Sequence, residues 1–467
     1  MKAERQLPLI FAQLILLLGA ELLRAENLND AWQLALSANP QLQAQRINTS
    51  AAGLNLSAAE RGRLPKGSLN AVDAQLMSRT PNVNTGNLGQ SGGQAAISSF
   101  PFVFGTNQNN IPLAFTSLSQ PIYAGGRIRG NINVAGAQAG RQRADQSRTA
   151  LDLKLSVAEG YVGVLQGKRN LQVATSDVDR LRSFLEDVKN RQRVGMATRN
   201  EELSAEVSLA NARLREIQTR NALTNAWGTY NRYLMRPLDF TTELQEVAPP
   251  ETPVIARAQR GPRGPATTEE PPENITGMEQ EELVRLTSQA LRSRPELASL
   301  TQQARAQFAQ AEVTRAGVRP NVNVAVNYVY LGLNGLTNNN ILAATAVGSW
   351  NFYDGGTARR QAEAQEQQSR ALLRQRADEA AAIALEVRTR WINLAEARER
   401  IVVSRVAVRQ SEENVNVVQD RYRQQLSTYT EVLDAEAQRV QAYANFYNAT
   451  YDAALAWFRL RRAVGDL

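Results

Sequence analysis

Apolar residues recur at alternating spacings of three and four along most of this chain, and at a spacing of two in a few short stretches. From residue 126 to 195 the stripe is clearest in Leu171, Ala174, Val178, Leu181, Leu185 and Val188, with charges on the other faces. This is the signature of an amphipathic helix that seeks a partner. Seventy helical residues would extend about 105 Å. After a break at Val194-Gly195-Met196-Ala197-Thr198 a second run follows in Leu203, Val207, Ala210, Leu214 and Ile217. The same pair recurs later: Val408, Ser411, Val415, Val418 and Tyr422, a break near residues 425–428, then Leu433, Ala437, Val440, Ala444 and Tyr447. Two very long antiparallel helical hairpins are predicted. Neither could enclose much core alone, so their stripes need partner helices.

Strand periodicity lies just ahead of each helical hairpin. Val322, Val324, Val326, Tyr328 and Tyr330 alternate with Asn321, Asn323, Ala325 and Asn327. A polar loop at 332–340 precedes a returning strand marked by Leu342, Ala344, Ala346, Trp350 and Phe352. The earlier pair is fainter: Val72, Ala74 and Leu76, a Gly/Asn/Ser-rich loop over 80–110, then 113–123. Each segment is long enough for the ~9–11 residues of a tilted membrane strand.

The chain is a duplication. Ala35-Leu36-Ser37-Ala38-Asn39-Pro40-Gln41-Leu42 returns as Ala290-Leu291-Arg292-Ser293-Arg294-Pro295-Glu296-Leu297 at an offset of 255, and Gly62 and Pro65 return as Gly317 and Pro320. Tyr123-Ala124-Gly125-Gly126 returns as Tyr353-Asp354-Gly355-Gly356 at an offset of 230, which persists through Tyr161/Trp391, Leu203/Leu433 and Trp227/Trp457. The division this predicts is a first repeat over 26–240 (strand hairpin 66–123, helical hairpin 126–236) and a second over 278–467 (319–353 and 356–465). Between them, 241–277 holds seven of the 17 prolines and reads as a linker.

Composition narrows the function. With no Cys and no His among 467 residues, disulfides, thiol or imidazole catalysis and most metal centres are excluded; no cofactor is expected. The net charge of +8 is spread over helix faces and interleaved with acids, which argues against nucleic acid. Residues 1–25 read as an export signal: Lys2 and Arg5 precede an apolar run, with Ala20 and Ala25 behind it. No later run is long and apolar enough for a membrane helix, so any membrane crossing would use strands. Four strands cannot close a barrel, and an open edge in lipid is prohibitive, so a membrane reading requires assembly with further copies.

The duplicated order of helix, strand hairpin and long helical hairpin resembles the TolC family of outer-membrane efflux ducts over nearly the whole exported chain. The most specific pieces are Gln120-Pro121-Ile122-Tyr123-Ala124-Gly125-Gly126-Arg127, its partner Trp350-Asn351-Phe352-Tyr353-Asp354-Gly355-Gly356, and the two hairpin tips. The resemblance implies a mainly α fold with membrane β: a homotrimer whose twelve-stranded β-barrel continues into an α-helical periplasmic tunnel. It implies outer-membrane lipid around the barrel, and a periplasmic adaptor and inner-membrane pump as partners. Gly195, Met196, Ala197, Thr198, Leu426, Ser427 and Thr428 would be the adaptor-docking tips. Glu431, Asp434 and Tyr422 would form the aperture, with Gln425 standing where relatives often have Gly. Such a passive duct is not an enzyme. The other reading of the hairpins is a periplasmic adaptor or structural coiled coil, which leaves the duplicated strand pairs unexplained.

Overall fold

The computed structural model describes residues 25–75, 110–247, 277–332 and 338–467. The export signal up to residue 24, nearly all of the 80–110 loop and most of the Pro-rich linker lie outside the described residues. In chain order the elements are α1 (Leu28–Ala38), α2 (Pro40–Arg61), β1 (Lys66–Gln75), β2 (Asn110–Tyr123), α3 (Arg127–Arg193) and α4 (Arg199–Leu234). They are followed by α5 (Gly277–Ser293), α6 (Pro295–Ala316), β3 (Asn321–Leu331), β4 (Asn340–Ser349), α7 (Thr357–Arg423) and α8 (Tyr429–Val464). Among the described residues no helix is long and apolar enough to cross a membrane. The described residues form two compact units, one drawn from within 25–48, 143–299 and 376–467 and the other from within 49–142 and 300–375. Each unit draws segments from both sequence repeats.

The smaller unit contains one antiparallel sheet in the order β1-β2-β3-β4. Within the first hairpin Lys66 pairs with Ser119, and within the second Asn321 pairs with Ser349. These pairs are equivalent under the offsets of 255 and 230, so the duplication preserves hairpin register. Register decides which side chains share a face. One face carries Val322, Val324, Val326, Tyr328 and Tyr330 with Leu118, Leu69 and Leu342; the other carries Asn321, Asn323 and Asn327 with Ser117, Ser119, Thr345 and Lys66 toward the helices, and the apolar cluster Val329, Leu331, Leu113, Phe115 and Ile341 toward the far end. Over the part nearer the helices this is the alternation of a strand between lipid and a watery lumen, whereas at the far end both faces are apolar. The sequence had extended the fourth strand to Phe352. It ends at Ser349, and the indole N–H of Trp350 instead donates to the Val318 carbonyl at 3.1 Å.

The duplicated Gly-Gly corners join strands to helices. Gly125 and Gly126 have φ of 60° and 95°, and Gly355 and Gly356 have 68° and 81°. Two successive left-handed residues are cheap only for glycine. At Gly125 a Cβ would also lie 2.7 Å from that of Arg319.

In the larger unit the helices bury their stripes in three clusters. Tyr161, Trp227, Tyr230, Leu234 and Phe458 centre one, and Ile383, Val387, Trp391, Leu394 and Leu460 centre another. Tyr161 and Trp391, equivalent in the repeats, thus take equivalent core positions. A third cluster joins Val178, Leu181, Leu185 and Val188 of α3 to Ala205, Leu209 and Ala212 of α4 and Tyr429 of α8. Each fully buried Leu or Val contributes about 1.5–3 kcal/mol. The predicted stripe of α3 is therefore the buried one, whereas that of α4 is not. Leu203, Val207, Leu214 and Ile217 are all exposed in the single chain. Ala205 and Ala212 are small enough to let α4 approach α3 closely around the buried Leu209, leaving the other apolar stripe facing away.

Candidate channel mouth and docking tips

Both tips are built by the same backbone device. At the end of α3 the Met196 N–H donates to the Arg191 carbonyl (2.8 Å) and the Gly195 N–H to that of Gln192 (3.0 Å). At the end of α7 the Leu426 N–H donates to Arg421 (2.8 Å) and the Gln425 N–H to Tyr422 (3.1 Å). These are the paired bonds of a Schellman motif, which requires a left-handed residue after the cap. Gly195 supplies it with φ 77°, and Gln425 supplies it with φ 61° despite its side chain. The substitution of Gln for the usual Gly therefore leaves the turn geometry intact and introduces local strain.

Each following helix opens on a threonine cap. The Thr198 hydroxyl accepts from the Glu201 N–H at 3.3 Å, and the Thr428 hydroxyl from the Glu431 N–H at 3.4 Å. Between cap and turn, Met196 and Leu426 expose most of their apolar side chains, as does Val194. Two exposed apolar knobs on rigid turns suit packing against another helical tip.

The acids beyond the second tip differ in setting. The Glu431 carboxylate accepts from the Ser427 hydroxyl at 2.6 Å and the Thr428 hydroxyl at 3.0 Å, closing a capping box. Those hydroxyls, the Thr428 N–H and nearby Arg421 hold its pKa below the ordinary value. Asp434, three residues on, is exposed on α8 and makes no hydrogen bond or ion pair among the described residues.

Tyr422 turns toward the first helical hairpin. Its hydroxyl donates to the Glu201 carboxylate at 3.4 Å, and the Arg191 guanidinium lies 4.8 Å above its ring. Its ring meets Phe184 at 6.1 Å and Tyr429 at 6.3 Å, while Phe184 stacks on Tyr429 at 5.3 Å. Burial, and then the Glu201 charge, push the Tyr422 pKa up, so the phenol stays a donor. This aromatic group ties the two tips together at their bases. Glu202 is buried and paired with Arg199.

In sequence Glu201 reads as an acid in the first turn of α4 that suits the helix dipole, and Phe184, Arg191 and Tyr429 carry no local signature. The only prior signal was the offset of 230, which sets Glu201 opposite Glu431. Above the mouth, Glu436 and Arg439 form a buried ion pair (2.6 Å) that Gln419 completes by donating to Glu436 at 3.0 Å. Among the described residues no group of acids could hold a metal ion.

An antiparallel sheet with one apolar face, joined in duplicate to long helical hairpins that end in exposed apolar tips, is the architecture of a membrane channel protein. The chain belongs to the outer membrane efflux protein family, which matches residues 31–233 and 286–466. It is thus an efflux channel protein of the outer membrane. Its fold is shared with the CmeC outer membrane channel of Campylobacter jejuni (TM-score 0.74, 14% identity, covering 94% of this chain and 86% of that one). It is also shared with the outer membrane protein VceC of Vibrio cholerae (0.72, 16%, 94% and 96%) and the MtrE outer membrane channel of Neisseria gonorrhoeae (0.69, 16%, 94% and 88%). A search of the curated proteins by sequence finds no match.

Proposed function

We propose that the chain is the exit duct of a tripartite efflux or secretion system. Three copies complete a twelve-stranded barrel, and their helical hairpins form a periplasmic tunnel that receives solute from an adaptor and an inner-membrane pump. The observation that carries this reading is the amphipathic four-stranded sheet. Its outer strands β1 and β4 have no partner on their far sides among the described residues. Each unpaired N–H or C=O facing hydrocarbon costs several kcal/mol, so the edges must meet those of further copies. The exposed stripe Leu203, Val207, Leu214 and Ile217 supports the same conclusion, since it provides a helical seam for a neighbour.

In this reading the exposed residues of both tips, Met196 and Leu426 foremost, dock the adaptor. Conduction is passive. The aperture is set by Asp434, with Glu431 held back at the tip by its capping bonds, and Tyr422 restrains the mouth through Glu201. Three Asp434 carboxylates in a narrow passage would favour cations and oppose anions.

The test is purification from outer membranes followed by planar-bilayer recording. A heat-modifiable trimer with cation-selective conductance is expected, and Asp434→Asn is expected to weaken cation selectivity more than Glu431→Gln. A stable detergent-free monomer would refute the duct, while selectivity unchanged in both variants would remove these acids from the aperture.

A further inference from the structure

The strand ends that join the helices carry an uneven distribution of charge. On the second-repeat side each cation is neutralised or occupied. Arg315 contacts Glu312 (2.9 Å) and Glu366 (2.7 Å), Arg359 and Arg360 share Glu363, and Arg319 donates to the Gly125 carbonyl at 3.1 Å. On the first-repeat side Arg61, Arg63, Arg127 and Arg129 are exposed; the Arg63 Nε donates to the Glu60 carbonyl at 3.1 Å, Glu60 is the one acid adjoining them in sequence, and none of the four forms an ion pair among the described residues. From residue 61 to 144 the sequence holds no acid except Asp73, near the opposite end of β1. Four guanidinium groups outside any ion pair, against one neighbouring acid, thus gather where β1 begins and β2 ends.

Aromatic side chains mark the same level. Trp350, Phe352 and Tyr353 are 62%, 78% and 78% exposed just past β4, and Tyr123 ends β2. A second aromatic group, Tyr328 and Tyr330, lies toward the other end of β3 on its apolar face. The two groups are about nine residues apart along the strand, roughly 30 Å. A tilt of ~40° reduces that to about 23 Å, close to the ~25 Å apolar band of a membrane barrel. The arginines therefore sit at headgroup depth beside an aromatic belt, on the side of the membrane where the helices emerge.

We propose that Arg61, Arg63, Arg127 and Arg129 form a binding collar for anionic phospholipid headgroups of the periplasmic leaflet. The proposal rests on the barrel reading above. A planar guanidinium donates two parallel N–H bonds to a pair of phosphate oxygens, and the neighbouring rings hold the glycerol and upper acyl region. The collar selects anionic over zwitterionic lipid because it supplies cations outside any internal ion pair.

The full chain is reconstituted in phosphatidylcholine bilayers containing trace spin-labelled phosphatidylglycerol or spin-labelled phosphatidylcholine, and the motionally restricted fraction of each is read by electron paramagnetic resonance. The expected result is at least ~5-fold preference for phosphatidylglycerol, lost at high salt and not displaced by millimolar glycerol phosphate. The preference should vanish in the combined variant Arg61→Gln, Arg63→Gln, Arg127→Gln, Arg129→Gln and persist in Arg359→Gln with Arg360→Gln. Equal restriction of the two lipids by the inserted unsubstituted protein, an unchanged preference in the fourfold variant, or displacement by glycerol phosphate would each overturn the collar alone. Failure to enter either bilayer would overturn the barrel and the collar together.

Discussion

The second tip places a glutamine where the backbone asks for glycine, and the first tip supplies its internal control. Gln425 and Gly195 have φ of 61° and 77° and make the same pair of backbone bonds. The left-handed conformation costs an L-residue about 1 kcal/mol or somewhat more through contact of Cβ with the following carbonyl. Glycine removes that contact and returns part of the gain through the greater freedom of the unfolded chain. Gln425→Gly should therefore stabilise the second tip by about 0.5–1 kcal/mol, and Gly195→Gln should weaken the first by about the same. No atom lies within 4 Å of a Cβ built at Gly195, so the reverse change tests conformation without a clash. The assay is native-state hydrogen exchange at the two amides that close the turns, Leu426 and Met196. Expected changes are roughly twofold to fivefold, slower at Leu426 in Gln425→Gly and faster at Met196 in Gly195→Gln. Equal exchange in parent and variants, or changes of the opposite sign, would show that the turn is not governed by this strain.

Removing one member of the buried pair should be costly: Arg439→Ala leaves Glu436 without its cation and is expected to lose about 3–4 kcal/mol, whereas replacing both by Leu should cost far less, read by thermal unfolding of the purified protein. The depressed Glu431 pKa gives the second tip an acid sensitivity. Its contribution is present above the ordinary value of 4.5 and lost as pH falls through the lower folded value, so exchange at the Glu431 amide, corrected for its intrinsic pH dependence, should accelerate there. Glu431→Gln should abolish that dependence. Phe184→Ala removes the stack on Tyr429 and the contact with Tyr422, and is expected to cost about 2 kcal/mol and to raise open probability in single-channel records.

What could be read in advance was whatever repeats along the chain. Val322 to Tyr330 alternates with asparagines, so β3 is visible in isolation, and the breaks near Gly195 and Gln425 interrupt long heptad-like runs. β1 was fainter because Gly67, Ser68 and Asn70 are poor strand formers. Its conformation is fixed by pairing with β2, a non-local interaction. The face of α4 that packs on α3 could not be read in advance for a related reason. Periodicity locates an apolar stripe, but the choice between Leu203, Val207, Leu214 and Ile217 and the face of Ala205, Leu209 and Ala212, with its two alanines, depends on which allows closer approach to α3. The mouth was legible only in part. Tyr422 and the acids of the second tip carried a family pattern, whereas Glu201, Arg191 and Phe184 approach Tyr422 from the other hairpin and have no local signature.

The pairing of β2 with β3 has a geometric corollary, because it joins the two repeats through a seam internal to one polypeptide. If the ring closes with the same spacing throughout, the contact between β4 of one copy and β1 of the next reproduces that seam. Leu118 opposite Val326 then translates, by the duplication offsets, into Gly348 opposite Ala71 of the adjacent molecule. Since the native chain is devoid of thiols, Ala71→Cys with Gly348→Cys should yield covalent ladders under mild oxidation, and Leu69→Cys with Gly348→Cys should not.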